Sequence, residues 1–470
     1  YDNLYRAAVS RAEADWLVGI NCTRALTCKY NAQLSCGRVQ TPTLSMIEKR
    51  DEEIRSFIPK TYFTISAAAG HVNYLWKDQK TKSTRIFSKE RSEKIQKRAG
   101  NGELTLTKVD KKEKKTYAPL LYDLTELQRD ANNRFGYSAK QTLNIMQRLY
   151  ETYKLLTYPR TDSRYLTADI IPTIAERLEA ISVGPYRSLA SKAKQTKLSK
   201  KMSFVNDAKV SDHHAIIPTE QFVDLAALSS EERKIYDLVV RRFLSVLYPP
   251  VVYEETMISA DLGGEIFQAR GKRMIKMGWR EVYESEATQS EEDTDGLKEQ
   301  NLPLLKPGEV FENPVIRVQA QKTKPPRRFT EATLLSAMEN PVRYMESMNT
   351  KMAKTLGETG GLGTVATRAD IIEKLFNNFL MEKRGSEIYL TSKGKQLLKL
   401  VPQDLKSPEL TADWELRLQA IAGGKESDKD FMREINHYTR SLIEEIKSAD
   451  GKFCHNNLTH TKCPACGKYM

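Results

Sequence analysis

A multidomain α+β fold with domains nested in one another is predicted by three features of the chain. Its 470 residues exceed what one hydrophobic core serves and suggest roughly three domains. Two stretches, 59–118 and 251–325, alternate apolar and polar residues with the period of a strand, and a helix-patterned insert, 119–250, separates them. Helix-patterned segments 1–58 and 326–450 flank both, so a strand-rich domain reads as inserted into one helical domain and interrupted by another. Residues 451–470 read as a separate tail. No self-similarity at a period of about 20 to 50 residues points to a repeat architecture.

Taken in order, residues 2–25 form an amphipathic helical pattern. Thr41 and Pro42 supply an N-cap and a first-turn proline for a second helix ending near Ile54. Residues 61–69 and 103–109 alternate as strands do, with a basic, loop-rich excursion between them. Lys108, Lys111, Lys112, Lys114 and Lys115 then form a charge run, read as a solvated strand end with the alternative of tracking a nucleic-acid backbone. Asp123 with Glu126, and Ser138 with Gln141, have capping-box spacing and open two helices. The second runs through Leu143, Met146 and Leu149 and hands over to a strand carrying Tyr158. A capped helix over 229–247 closes the insert at Pro249 and Pro250. Strand alternation returns over 251–318, broken by an acidic linker after Tyr283, and 331–339 and 366–380 are helical.

Charge and cysteines narrow the function classes. Lys plus Arg number 74 against 61 Asp plus Glu, and the net +13 favours a polyanionic partner. No apolar run approaches the ~20 residues of a membrane span and no signal peptide opens the chain, so a cytoplasmic protein without a membrane partner is expected. Cys22, Cys28 and Cys36 are scattered as reduced thiols are. Cys463 and Cys466 have the knuckle spacing that gives two thiolates to zinc. The pair reads as the first half of a zinc ribbon; the alternative is that Cys454, His455 and His460 complete four ligands. The acidic patches 51–53 and 291–295 read as solvated.

The chemistry centres on LLTYPRTDSRYL, residues 155–166, where Tyr158 stands two places before Arg160 in a polar turn. A phenol with a pKa of about 10 is a poor nucleophile at neutral pH and needs a cation or base beside it. Arg160 can hold a phosphate and offset developing charge. An aryl phosphodiester would store the energy of a broken backbone bond, so rejoining needs no ATP, and no Walker motif is present. The plain alternative is a part-buried tyrosine with Arg160 and Arg164 on the surface. Of His213 and His214, one placed near a scissile phosphate could donate to an oxygen or to the leaving hydroxyl; a structural histidine is the alternative. Arg38 stands before the second helix, where unpaired NH groups favour an anion, or is an exposed turn residue. Arg11 and Asp15 lie one turn apart and suit an intrahelical ion pair. Gly360, Gly361 and Gly363 make a glycine turn opening a helix that could admit a phosphate.

Five segments occur in one order: SRAEADWLVGIN from Ser10, LSCGRVQTP from Leu34, the Tyr158 run, DHHAIIPT from Asp212, and RRFTEATLLSAM from Arg327 leading to GGLGTVATRADII. Together they resemble the type IA DNA topoisomerases, and the Tyr-Pro-Arg form is similar to the bacterial topoisomerase III branch; the resemblance runs from Tyr5 to about Ile421. It implies a toroidal core in which strand-rich arches hinge a tyrosine-bearing domain, 119–250, over a DNA-binding base, 1–58 with 326–450. It implies that Tyr158 attacks one strand, becomes linked to a 5' phosphate, and is released on religation after DNA has passed, relaxing or decatenating DNA. Arg160 would steady the charge and His213 would stand on the phosphate side, His214 lying where the family varies. Arg11 and Asp15 would reach a nucleotide near the break. Ser35, Gly37, Arg38, Gln40, Thr41, Thr367 and Arg368 would line the path of the strand. Val365 departs from a glutamate of some relatives, which leaves the subfamily open.

The resemblance also implies magnesium (Mg2+), bound in the family by an amino-terminal Toprim domain whose acidic cluster nothing here matches, and zinc (Zn2+) in the tail. Expected partners are single-stranded DNA and DNA junctions, with a helicase or single-strand-binding protein, for a monomer near the nucleoid or plasmids. The competing expectation is a module that binds single-stranded DNA without turnover. Tyrosine recombinases and nicking relaxases fit poorly, because Tyr158 precedes His213 and the two histidines are adjacent.

Overall fold

The computed structural model describes residues 1–283, 299–345, 350–455 and 461–467, so the 291–295 patch and His460 lie outside the described residues. Helices and strands are mixed, as predicted, and fall into two units built from separated stretches. Tyr1–Ser56, Tyr122–Ser163 and Pro326–Met470 make the first; Phe57–Leu121 and Arg164–Pro325 make the second. The 119–250 insert is thereby shared between them.

The first unit is helical. Helix α1, Asp2–Tyr30, buries Ala7, Ala14, Val18, Cys22 and Leu26 along one stripe and ends at Asn31 in the left-handed region, φ 48°. That stripe packs on the helices Pro408–Ala422 and Asp428–Ser448. Helix α2, Gln40–Arg55, starts earlier than the sequence suggested: Val39 is its N-cap and Thr41 lies inside the first turn. Thr41 is fully buried, and its Oγ1 accepts a hydrogen bond from Gly37 N at 3.0 Å, closing the turn before the helix. The other caps stand where their spacing placed them. Asp123 Oδ1 accepts from Glu126 N at 2.7 Å to open Leu124–Phe135, and Ser138 Oγ accepts from Gln141 N at 3.0 Å to open Ala139–Glu151. Buried Glu331, first residue of the helix Glu331–Glu339, accepts from Ala139 N at 2.8 Å and pairs with Lys383.

The second unit is organised by one sheet. Its strands are β1 Thr61–Ala69, β2 Val72–Trp76, β3 Leu104–Thr116, β4 Val251–Leu262, β5 Glu265–Lys276, β6 Glu299–Gln300, β7 Val310–Phe311 and β8 Val315–Lys322. They run in the order β7-β3-β4-β5-β2-β1-β8, with β6 beside β5. Ile65, Tyr74, Trp76, Leu104, Ile258 and Phe267 form its core with Ile95 and Ala99 of the helix Lys89–Gly100. Two expectations are corrected here. The basic excursion between the first strands contains β2 and that helix, which buries only Ser92, Ile95 and Ala99 and so carries a thin apolar signal. The lysine run is not a strand end: after a bulge between Leu106 and Lys108, β3 stays paired with β4 as far as Thr116 opposite Val251. The Ser230–Leu247 helix has the reciprocal capping box, Ser229 Oγ accepting from Glu232 N at 3.2 Å and Glu232 Oε2 from Ser229 N at 2.8 Å.

Among the described residues no helix is long and apolar enough to cross a membrane.

Candidate active site

Tyr158 does not sit on a strand, as the apolar LLTY run suggested. It follows the Ala139–Glu151 helix in irregular backbone, after Lys154 turns the chain with φ 56°. The segment is pinned on both sides. Leu155 and Leu156 are buried before it, and Thr161 and Ser163 after it, where Thr161 O accepts from Leu124 N at 3.1 Å. Between these anchors Tyr158 is half-buried and Arg160 exposed. The Tyr158 ring meets Tyr150 edge-on, centroids 5.5 Å apart and planes at 84°, which limits how the phenol swings.

The histidines lie in the second unit. His213 is exposed, whereas His214 is half-buried with Nδ1 2.7 Å from Ala215 O, so Nδ1 carries the proton. Burial holds the His214 pKa below its ordinary value, against the opposing pull of the Ala215 carbonyl.

Elsewhere in the first unit, Arg11, Asp15, Arg38, Gly361, Thr367 and Glu415 line a pocket of about 460 Å³. The expected intrahelical pair is replaced by crossed pairs. Asp15 takes the Arg38 guanidinium, Nη2 to Oδ2 at 3.0 Å together with Nε to Oδ1, while Arg11 pairs with Glu415 Oε2. Glu415 Oε1 accepts from Arg38 Nη1 at 3.1 Å, so one carboxylate bridges both arginines. Arg38 is not an exposed turn residue; it is 7 % exposed, lies over the Trp414 ring at 5.1 Å, and its carbonyl accepts from Thr411 Oγ1 at 2.9 Å. Burial works against its charge, but Asp15 and Glu415 outweigh that and raise its pKa.

The remaining motif residues frame this pocket. Ser35 Oγ donates to Gln40 Oε1 at 3.2 Å, and Gly37 N is taken by Thr41, so the four residues shape the turn that presents Arg38. Thr367 is exposed at the pocket, its Oγ1 accepting from Thr364 N at 3.0 Å. Arg368 is 1 % exposed, with its guanidinium spent on the glycine turn: it donates to Leu362 O at 3.2 Å, Gly363 O at 3.3 Å, Thr125 Oγ1 at 3.2 Å and Gly360 O. Burial lowers its pKa. Gly361 needs its φ of 82° and its bare Cα, since a Cβ there would stand 2.2 Å from Met338 O. Glu415, Trp414 and Thr411 were missed in the sequence. Their signal was a carboxylate at a core-facing position of the Pro408–Ala422 helix, between buried Thr411 and Leu418.

Among the described residues no group of three or more His, Cys, Asp or Glu side chains could hold a metal ion. Cys463 and Cys466 do form a knuckle: the Cys466 and Ala465 backbone NH groups lower the Cys463 pKa, and Gly467 N donates to Cys463 O at 2.8 Å. The described residues therefore do not fit the magnesium set of the resemblance.

Comparison with known proteins agrees with these motifs. A family model described as DNA topoisomerase matches residues 1–433. The DNA topoisomerase 3 of Bacillus subtilis (strain 168) is 53% identical over 470 residues, covering 100% of this chain and 64% of that protein. The DNA topoisomerase 3 of Bacillus anthracis is 54% identical over 471 residues with the same coverage, 100% and 64%. The chain thus spans about 64% of the length of these relatives. The solved structure of full-length topoisomerase I from Thermotoga maritima superposes with TM-score 0.70 and 25% identity, covering 99% of this chain and 72% of that one. The chain belongs to the DNA topoisomerase family, and within it to the type IA, topoisomerase III-like group.

Proposed function

We propose that the chain is the core of an ATP-independent DNA topoisomerase that breaks and rejoins one strand through Tyr158. The observation that carries this reading is the pinned Tyr158 segment, with a half-buried phenol and an exposed Arg160 held between buried anchors. In the forward step Tyr158 Oη bonds to phosphorus and gives up its proton, and the P–O3' bond breaks. The 3' oxygen leaves as a hydroxyl after taking a proton, with His213 the group that assists. In the reverse step that hydroxyl attacks the 5'-phosphotyrosine and the phenol departs with a proton, so nothing is consumed. Arg160 steadies the non-bridging oxygens in both directions.

The strand is held by the pocket of Arg11, Asp15 and Arg38, with Thr367 at its edge, and the net +13 charge supports a polyanionic partner. Single-stranded DNA and junctions are the partners we assign, with a helicase or single-strand-binding protein acting beside a monomer near the nucleoid. Magnesium and a zinc-bound tail are assigned by the resemblance alone.

Tyr158→Phe tests the nucleophile. It should abolish covalent protein–DNA adduct in a denaturing gel and leave single-strand affinity near wild type. Persistence of adduct in that variant rejects Tyr158. Incubation with magnesium and negatively supercoiled plasmid then separates turnover from binding alone, because a chain that only binds leaves the plasmid supercoiled.

A further inference from the structure

The charged lining of the first-unit pocket is balanced. Arg11, Arg38 and Lys374 face Asp15, Asp370 and Glu415, three cations against three carboxylates. A cavity without net charge does not draw a phosphate by its field, and a phosphate that pairs with the outer face of either arginine guanidinium must displace a carboxylate from it. The two arginines are unequal in this respect. Arg38 has a side chain 6% exposed, is gripped by both carboxylates and is covered by Trp414. Arg11 has a side chain 43% exposed and, among the described residues, is held by Glu415 alone, with its Nε buried and without a hydrogen-bond partner. An unspent donor beside an exchangeable ion pair is where an incoming oxyanion gains most.

We infer that Glu415 is a positioning residue that also acts as an internal competitor: it aligns Arg38 permanently and occupies Arg11 until a strand phosphate takes Arg11 away. This rests on the reading of the pocket as part of the DNA path. The pocket's own charge then sets strand affinity below what its arginines would give, and lets the strand leave as readily as it enters. Glu415 is 6% exposed and its oxygens point to Arg11 and Arg38, so it has no room to serve as a surface charge.

The test is titration of a fluorescein-labelled single-stranded oligonucleotide with the whole chain at several salt concentrations. Each phosphate contact adds about 0.7 to the log–log salt slope for a single strand, or about 2.6-fold in affinity between about 50 and about 200 mM salt. Glu415→Gln should bind more tightly at every salt concentration with the wild-type slope, because Arg11 meets the strand in both complexes and only its release from Glu415 is removed. Glu415→Asp keeps the charge and should keep the wild-type affinity. Arg11→Gln should lose about 0.7 of slope, and adding Glu415→Gln to it should restore nothing. A structural role for Glu415 predicts the opposite pattern, weaker binding by Glu415→Gln in step with a lower melting temperature. Should Glu415→Gln fail to fold, Arg11→Gln decides: a permanent Arg11–Glu415 pair leaves the slope unchanged and overturns the inference. Lys374→Gln reports on the underlying reading. If it lowers the slope while Glu415→Gln does not tighten binding, only the competitor role fails; if it has no effect, the pocket is not on the DNA path.

Discussion

Arg38 and Arg368 are both buried arginines beside glycine-containing turns, and the partners of each guanidinium distinguish them. Arg38 gives its guanidinium to the Asp15 and Glu415 carboxylates at the pocket, whereas Arg368 spends its donors on the Gly360, Leu362 and Gly363 carbonyls, which no backbone NH among the described residues satisfies. Arg368→Ala should therefore cost about 3 kcal/mol in urea unfolding, because it orphans one buried and two part-buried carbonyls at once. Arg368→Lys should recover little, since one ammonium cannot span the same fork of acceptors. A loss below about 0.5 kcal/mol would mean that water satisfies the turn. His214 gives a pH prediction. Its pKa is depressed in the fold by burial, with Arg177 and His213 adding to the fall and Ala215 O and Asp169 opposing it. The unfolded value is about 6.5, so its contribution is fully present above that pH and is lost as pH falls through the lower folded value. Melting temperature should accordingly drop more between about pH 7 and about pH 5 in wild type than in His214→Gln. Equal drops in the two proteins would remove His214 from the acid response.

At the scale of elements, what was legible in the sequence was what is decided locally. The caps at Asp123, Ser138 and Ser229 stood at their predicted places because each needs only a side-chain oxygen and an NH three residues on. The start of α2 was misread because Val39 caps it without a side-chain bond while Thr41 serves Gly37. The reach of β3 and the helix Lys89–Gly100 were hidden for a different reason: the partners that stabilise them are far away in sequence, β4 for the lysine run and the sheet core for Ile95. The same reasoning ranks their side chains. Ile95 is 1 % exposed, so Ile95→Ala should cost about 2–5 kcal/mol by chemical denaturation. Lys112→Gln, on an exposed position whose backbone stays paired to Glu255, should change stability by less than about 0.5 kcal/mol. Comparable losses in the two variants would contradict the paired-strand account of the lysine run.

Over the whole molecule, the motif residues of the candidate site were legible as positions, but the contacts they make were not. Arg38 and Glu415 are 377 residues apart, and nothing local to either announces the other. Such pairs exist because each unit is closed by stretches distant in the chain, which bring Tyr122–Ser163 beside Pro326–Met470 in one unit and β3 beside β4 in the other. Each unit has its own buried aromatic centre: Trp414 meets Phe431 edge-on at 6.2 Å in the first, and Trp76 and Phe267 share the sheet core in the second. Two cores of this kind should unfold in two steps. Phe431→Ala and Phe267→Ala should each destabilise by about 3–5 kcal/mol, the first moving only the transition reported by Trp414 and the second only that reported by Trp76. Single-tryptophan proteins, with the other tryptophans replaced by phenylalanine, would make the two reports separable in urea. If either substitution shifts both transitions by the same amount, the chain unfolds as one cooperative body and the two cores are not energetically distinct.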